Sequence, residues 1–130
     1  MSTSKTMMMT VSFCAGLAFT ALPAFAADAA KEISTAAAHA GMAAGAEDPQ
    51  MVKAHLHHVL NCLEGPSGAD FSAASGNPCK DQGNGAIPDS SADGRKSLEA
   101  VVTMTKQALS EMDISKAKAK ASEVQSALTK

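Results

Sequence analysis

Residues 48–66 read DPQMVKAHLHHVLNCLEGP, and this stretch decides the fold. Asp48 is a suitable helix N-cap, Pro49 suits the first helical position, and Gly65 followed by Pro66 ends the helix. Between these signals, apolar residues recur every three or four positions, as on one face of an amphipathic helix. They are Val52, Leu56, Val59, Leu60 and Leu63. The segment therefore predicts a helix whose apolar face must pack against other helices.

Three more helices are predicted around this one. Apolar spacing over residues 29–44 indicates a first helix, and a similar stripe over residues 98–112 indicates a third. Asp113 is placed to cap a fourth helix that continues to Leu128. Because the connection between the first two helices is short, we expect an antiparallel hairpin. The predicted fold class is all-α: a small bundle of four helices arranged as two antiparallel hairpins.

Residues 65–92, between the second and third helices, differ in composition from the rest. Glycine and proline recur through them and interrupt any helical period. Such a long loop is generally functional or disordered. Cys62, near the end of the second helix, and Cys79, within the loop, would pin it if they were bonded. In an oxidising compartment a disulfide is favoured over a free thiolate that binds a metal.

The first 26 residues have the organisation of a secretory signal peptide. Lys5 precedes an apolar run over residues 7–22, and the small-residue triplet Ala24-Phe25-Ala26 resembles a cleavage site. The apolar run is short for a retained membrane span. We therefore expect cleavage after Ala26, a single domain over residues 27–130, a periplasmic or secreted location, and no membrane attachment after cleavage.

Composition excludes several classes of function. The formal net charge is −2, there is no tryptophan or tyrosine, and Phe71 is the only phenylalanine after residue 26. A nucleic-acid partner is not expected, because binding would need cationic density and aromatic platforms. The sequence has no nucleophile elbow, phosphate-binding loop or zinc-protease motif, so we predict that the protein is not an enzyme.

The histidines provide the sharpest functional hypothesis. Steps of about 100° per residue place His55, His58 and Met51 on one strip that borders the apolar face of the second helix. His57 falls across the helix, where we expect it to be solvated. In a hairpin that turns near residue 47, His39 of the first helix lies level with His55. We therefore predict that His39, His55 and His58 converge.

Three imidazoles with a nearby thioether suit copper or zinc. The predicted function is that of an exported carrier, buffer or sensor, which binds either metal through His39, His55 and His58 with Met51 as an auxiliary ligand. The first alternative is a structural or interaction module without metal, which binds another envelope protein or a second copy of itself. Noncovalent haem is the less favoured alternative, since there is no Cys-x-x-Cys-His motif and few aromatic residues.

Residues 55–66 (HLHHVLNCLEGP), 76–79 (GNPC) and 85–89 (GAIPD) resemble stretches of small, secreted, helical bacterial proteins of uncharacterised function. The resemblance implies a recurring unit of helix, disulfide and loop. It implies no activity.

Overall fold

The computed structural model describes residues 27–130, and every regular element in this range is helical. The predicted signal peptide, residues 1–26, lies outside the described residues. The α-helices are α1 (Ala29–Gly45), α2 (Pro49–Glu64), α3 (Ala86–Asp89), α4 (Ala92–Ser110) and α5 (Ile114–Leu128). A single 3-10 turn, Ala73–Ser75, lies between α2 and α3. The all-α prediction is therefore confirmed for this part of the chain.

The four long helices each begin with a capping side chain. Asp48 accepts a hydrogen bond from the Gln50 N–H at 2.8 Å, and Asp113 accepts one from the Lys116 N–H at 3.1 Å. Asp28 and Ser91 cap α1 and α4 in the same way. Each cap satisfies a backbone donor that the first helical turn leaves unpaired. The caps predicted at Asp48 and Asp113 are confirmed.

Glycine ends α2 because no side chain fits there. Gly65 has a φ of 68°, and a Cβ at this position would overlap the carbonyl group of Asn84. The chain can therefore turn directly from α2 into the loop that packs beside it.

The core is built of alanine, valine and leucine. Helix α1 packs against both α2 and α5, and α4 packs against α5 and α2. The buried apolar positions of α1 are all alanine. They are Ala36, Ala37, Ala40 and Ala43. The distance between packed helices depends on the side chains at their contact, so this small-residue face lets α2 and α5 come close to α1.

The structure has five α-helices in the described range, rather than the four predicted. The additional helix, α3 (Ala86–Asp89), lies inside the predicted loop and packs against α1, α2 and α4. Its four residues are too few to show a helical period in the sequence. The packing of α1 on α2 and of α4 on α5 is compatible with the two predicted hairpins.

The predicted disulfide between Cys62 and Cys79 is confirmed, and its Cα atoms lie 5.2 Å apart. Both cysteines are buried, so the bond ties the loop after α2 to the core. No helix within residues 27–130 is long and apolar enough to cross a bilayer.

Candidate metal centre

The three histidines predicted to converge do so, with His39 contributed by α1 and His55 and His58 by α2. The Nδ1 atom of His39 lies 3.2 Å from Nδ1 of His55 and 3.3 Å from Nδ1 of His58. One ring nitrogen from each histidine lies within 4.8 Å of the others. Two nitrogens bound to one tetrahedral zinc at about 2.0–2.1 Å are about 3.3 Å apart. The two close pairs therefore have the spacing of ligands that share one ion.

The local sequence explains this convergence. His55 and His58 are three residues apart in α2, so their side chains are neighbours on one side of the helix. His39 is flanked in α1 by the buried residues Ala36, Ala40 and Ala43, whose small side chains let α2 approach. All three imidazoles are only partly buried, and they form a cluster with access to solvent.

A carbonyl group fixes the orientation of His58. Its Nε2 lies 2.7 Å from the backbone oxygen of Ser75. Because a carbonyl oxygen only accepts hydrogen bonds, Nε2 must carry the proton and donate it. In the neutral ring, the Nδ1 atom of His58 then presents a lone pair to His39. Histidines that bind metals commonly donate their other ring N–H to such a group.

The lone pair of His58 leaves the cluster incompletely hydrogen-bonded when the rings are neutral. His39 Nδ1 faces Nδ1 of both His55 and His58. If Nδ1 of His39 carries a proton, this single proton is shared between Nδ1 of His55 and Nδ1 of His58. If Nδ1 of His39 carries none, its lone pair faces the lone pair of His58 with no proton between them. A cation bound between the three Nδ1 atoms would accept a lone pair from each of them.

The surroundings favour the neutral form of His39 and His55. Burial, with smaller effects of His58 and His55, lowers the pKa of His39 to about 4. Burial and the neighbouring His58 also lower the pKa of His55. Both imidazoles are therefore neutral near pH 7, as metal ligation requires.

The remaining candidate residues lie elsewhere or have other roles. Met51 lies in the first turn of α2, with its side chain 46% exposed, and its role as an auxiliary ligand stays a prediction. Cys62 is bonded to Cys79 and is not a free thiolate. His57 does not belong to the cluster, as expected, and it is partly buried rather than fully solvated. It lines a shallow surface depression together with Leu60 and Lys106, and its Nδ1 is buried with no hydrogen-bond partner.

Asn61 and Ser75 also contribute to the surroundings of the site, and the sequence reasoning missed both. Asn61 is fully buried on α2 and bonds to the loop that contains Ser75. An asparagine in the apolar last turns of a helix is a usable signal, because a buried amide needs partners. Nothing in the sequence marks the carbonyl group of Ser75, since every residue has one.

A scan of protein-family models, a search of curated proteins and a search of solved structures give no match for this chain.

Proposed function

We propose that this protein binds one copper or zinc ion through the Nδ1 atoms of His39, His55 and His58. The observation that carries the proposal is the spacing of these atoms, at 3.2 Å and 3.3 Å for the two close pairs. Imidazole suits both metals, and copper is bound more tightly than zinc by a given set of ligands. The imidazole nitrogens would donate their lone pairs to the positively charged ion.

The proposed role is that of a carrier, buffer or sensor outside the cytoplasm. Three protein ligands leave a fourth position, which water, the thioether of Met51 or a group from a metal-exchanging partner would fill. The Cys62–Cys79 disulfide and the leader-like residues 1–26 support export, because disulfides persist in oxidising compartments. The absence of catalytic motifs from the sequence supports a role without catalysis.

Haem remains the less favoured ligand. A porphyrin needs a flat slot beside its axial histidine, whereas the ring centroids of His39 and His58 lie 4.6 Å apart and that of His55 lies 5.4 Å from His39. A macrocycle bound to one of these histidines would have to displace the neighbouring imidazoles.

A second candidate function is that of an interaction module. Three methionines are the exposed large hydrophobic residues of residues 27–130, and Met112 is 97% exposed. Met112 lines a groove together with the apolar residues Val52, Ala108 and Ile114, and the charged residues Lys53 and Glu111 also line it. Flexible thioether side chains suit adaptable protein contacts.

Metal titration tests the first proposal. Purified protein, freed of metal, is titrated with Zn(II) and separately with Cu(II), alongside His39→Ala, His55→Ala and the control His57→Ala. We expect one ion per chain and unchanged affinity for the control. The first two variants should bind about 100-fold more weakly or worse, because loss of a ligand costs more than the 10–100-fold loss that follows removal of an outer-shell partner. Equal affinity in all four proteins would refute the site. A metal-free protein that co-purifies with a partner would favour the interaction module.

A further inference from the structure

The side chain of Asn61 holds the loop that faces the histidine cluster. Its amide nitrogen donates to the carbonyl oxygens of Ser72 at 2.8 Å and Gly76 at 2.6 Å. Its amide oxygen accepts from the Ser72 N–H at 2.8 Å. The Asn61 side chain is fully buried, which limits competition from water at its end of all three bonds. Residues 72–76 are therefore fastened to α2 at both ends.

The fastened segment contains the group that orients His58. Ser75 lies between the two attachment points, and its carbonyl oxygen accepts from His58 Nε2 at 2.7 Å. The Ser75 N–H donates to the Ser72 carbonyl group at 3.2 Å, and the two serine hydroxyls lie 2.9 Å apart. The turn over residues 72–76 is thus held by contacts between Ser72 and Ser75 as well as by its hydrogen bonds to Asn61. The position of the Ser75 oxygen follows from these contacts.

Asn61 and His58 are three residues apart on α2, so their side chains are neighbours on the helix surface. The Asn61 side chain holds the loop, and the His58 ring donates a hydrogen bond to the carbonyl oxygen of Ser75 in that loop. If the turn moved, Nε2 of His58 would lose its acceptor. The ring would then be free to rotate or to change tautomer, and Nδ1 would no longer be held with its lone pair towards His39.

We propose that Asn61 is a positioning residue of the metal centre, acting through the Ser75 carbonyl group to hold His58 with its Nδ1 atom aimed at His39. The part of this inference that concerns metal affinity rests on the proposed function. The part that concerns the ring of His58 holds for the metal-free protein as well.

A pair of matched variants tests the proposal. Asn61→Asp keeps the oxygen that accepts from Ser72 and replaces the N–H donors with an oxygen that repels the two carbonyl groups. Asn77→Asp adds the same charge nearby, but keeps the oxygen that accepts from the Cys79 N–H at 2.9 Å. Zn(II) affinity is measured by competition with a chromogenic chelator. We expect a loss of about 10–100-fold for Asn61→Asp and no change for Asn77→Asp.

Long-range ¹H–¹⁵N NMR spectra of the histidine rings give a readout that a merely structural role would not change selectively. In the metal-free wild type we expect His58 to carry its proton on Nε2, and in Asn61→Asp we expect a mixture of tautomers at His58 with His57 unchanged. Circular dichroism verifies the fold. Should Asn61→Asp not fold, the uncharged Asn61→Ser takes its place.

Two outcomes would overturn the proposal: a folded Asn61 variant with wild-type Zn(II) affinity and wild-type His58 signals, or a wild-type His58 that carries its proton on Nδ1. If the wild type binds neither Zn(II) nor Cu(II), the proposed function fails, and the NMR comparison still decides whether Asn61 positions His58.

Discussion

The Nδ1 atoms of His39 and His55 lie 3.2 Å apart, although the two residues are separated by 16 positions in the sequence. Two rings this close cannot both become cationic without strong repulsion. Burial is the main effect that lowers the pKa of both imidazoles. The neighbouring His58 lowers both further, and His55 has a smaller effect on His39. His39 and His55 therefore resist protons over a pH range in which an ordinary histidine would accept one.

The stability of the metal-free protein should fall as the pH is lowered from about 6.5 to about 4. The pKa of His39 is about 4 in the folded protein and near 6.5 in the unfolded chain. Within this window the unfolded state binds more protons, so acid favours unfolding. After allowance for partial exposure, the loss is on the order of 2 kcal/mol. Urea denaturation at several pH values measures it.

The control for this prediction is His39→Gln, which removes the titrating ring and retains a polar side chain. Between about pH 6.5 and pH 4, the unfolding free energy of the wild type should fall relative to that of the variant. Carboxylates titrate in both proteins, so their contribution cancels in this difference. A difference that stays constant from pH 7.5 to pH 4 would contradict the assignment to His39.

The convergence of the histidines could be predicted because it depends on regular geometry. Asp48 and Pro49 mark the start of α2, which sets the short connection from α1, and helical periodicity then brings residue 39 level with residue 55. The Asn61 contacts could not be predicted in this way. They depend on the path of an aperiodic loop, which no repeating pattern encodes. The partial burial of His57 was missed for the same reason, since Asp70 of that loop and Lys106 of α4 line its surroundings.

The carboxyl group of Glu32 should destabilise the protein at neutral pH. It is fully buried, with Oε1 accepting from the Gly85 N–H at 2.9 Å and Oε2 without a hydrogen-bond partner. Burial raises its pKa, the Gly85 hydrogen bond opposes this rise, and Asp89 adds to it. The folded state therefore pays an ionisation cost above the folded pKa, and this cost disappears as the pH falls.

We accordingly expect Glu32→Gln to raise the unfolding free energy by about 1 kcal/mol at pH 8. The gain should shrink towards pH 4, where Glu32 is protonated. Urea denaturation at the two pH values measures it, with the exposed Glu47→Gln as the control. A destabilised variant at pH 8 would show that ionised Glu32 is required by its surroundings.

Removal of the disulfide should cost about 3 kcal/mol of unfolding free energy, as expected for a crosslink that closes a short loop. The bond joins residues that are 17 positions apart, and both cysteines are buried. The double variant Cys62→Ala/Cys79→Ala removes the bond without a reducing agent, which could itself bind a metal. Its urea midpoint is compared with that of the wild type. A loss below about 1 kcal/mol would mean that the core and the Asn61 contacts order the loop without the bond.

The thioether of Met51 should distinguish copper from zinc. Met51 lies one helical turn before His55, and its side chain is 46% exposed, so the thioether is accessible to a bound ion or to solvent. Thioethers are soft ligands that select Cu(I). We expect Met51→Leu to weaken Cu(I) binding about tenfold, or about 1.4 kcal/mol, and to leave Zn(II) binding unchanged. Competition with a colorimetric Cu(I) chelator under reducing conditions measures the first, and a zinc chelator the second.

The control is Met112→Leu, because Met112 is 97% exposed and follows α4 rather than belonging to the hairpin elements that carry the histidines. It should change neither affinity. If Met51→Leu also leaves Cu(I) affinity unchanged, the fourth position is filled by water or by a partner, and Met51 is not a ligand. A fall in both Cu(I) and Zn(II) affinity would indicate that the substitution moves α2 and the imidazoles on it, because the loss of a soft ligand alone spares zinc.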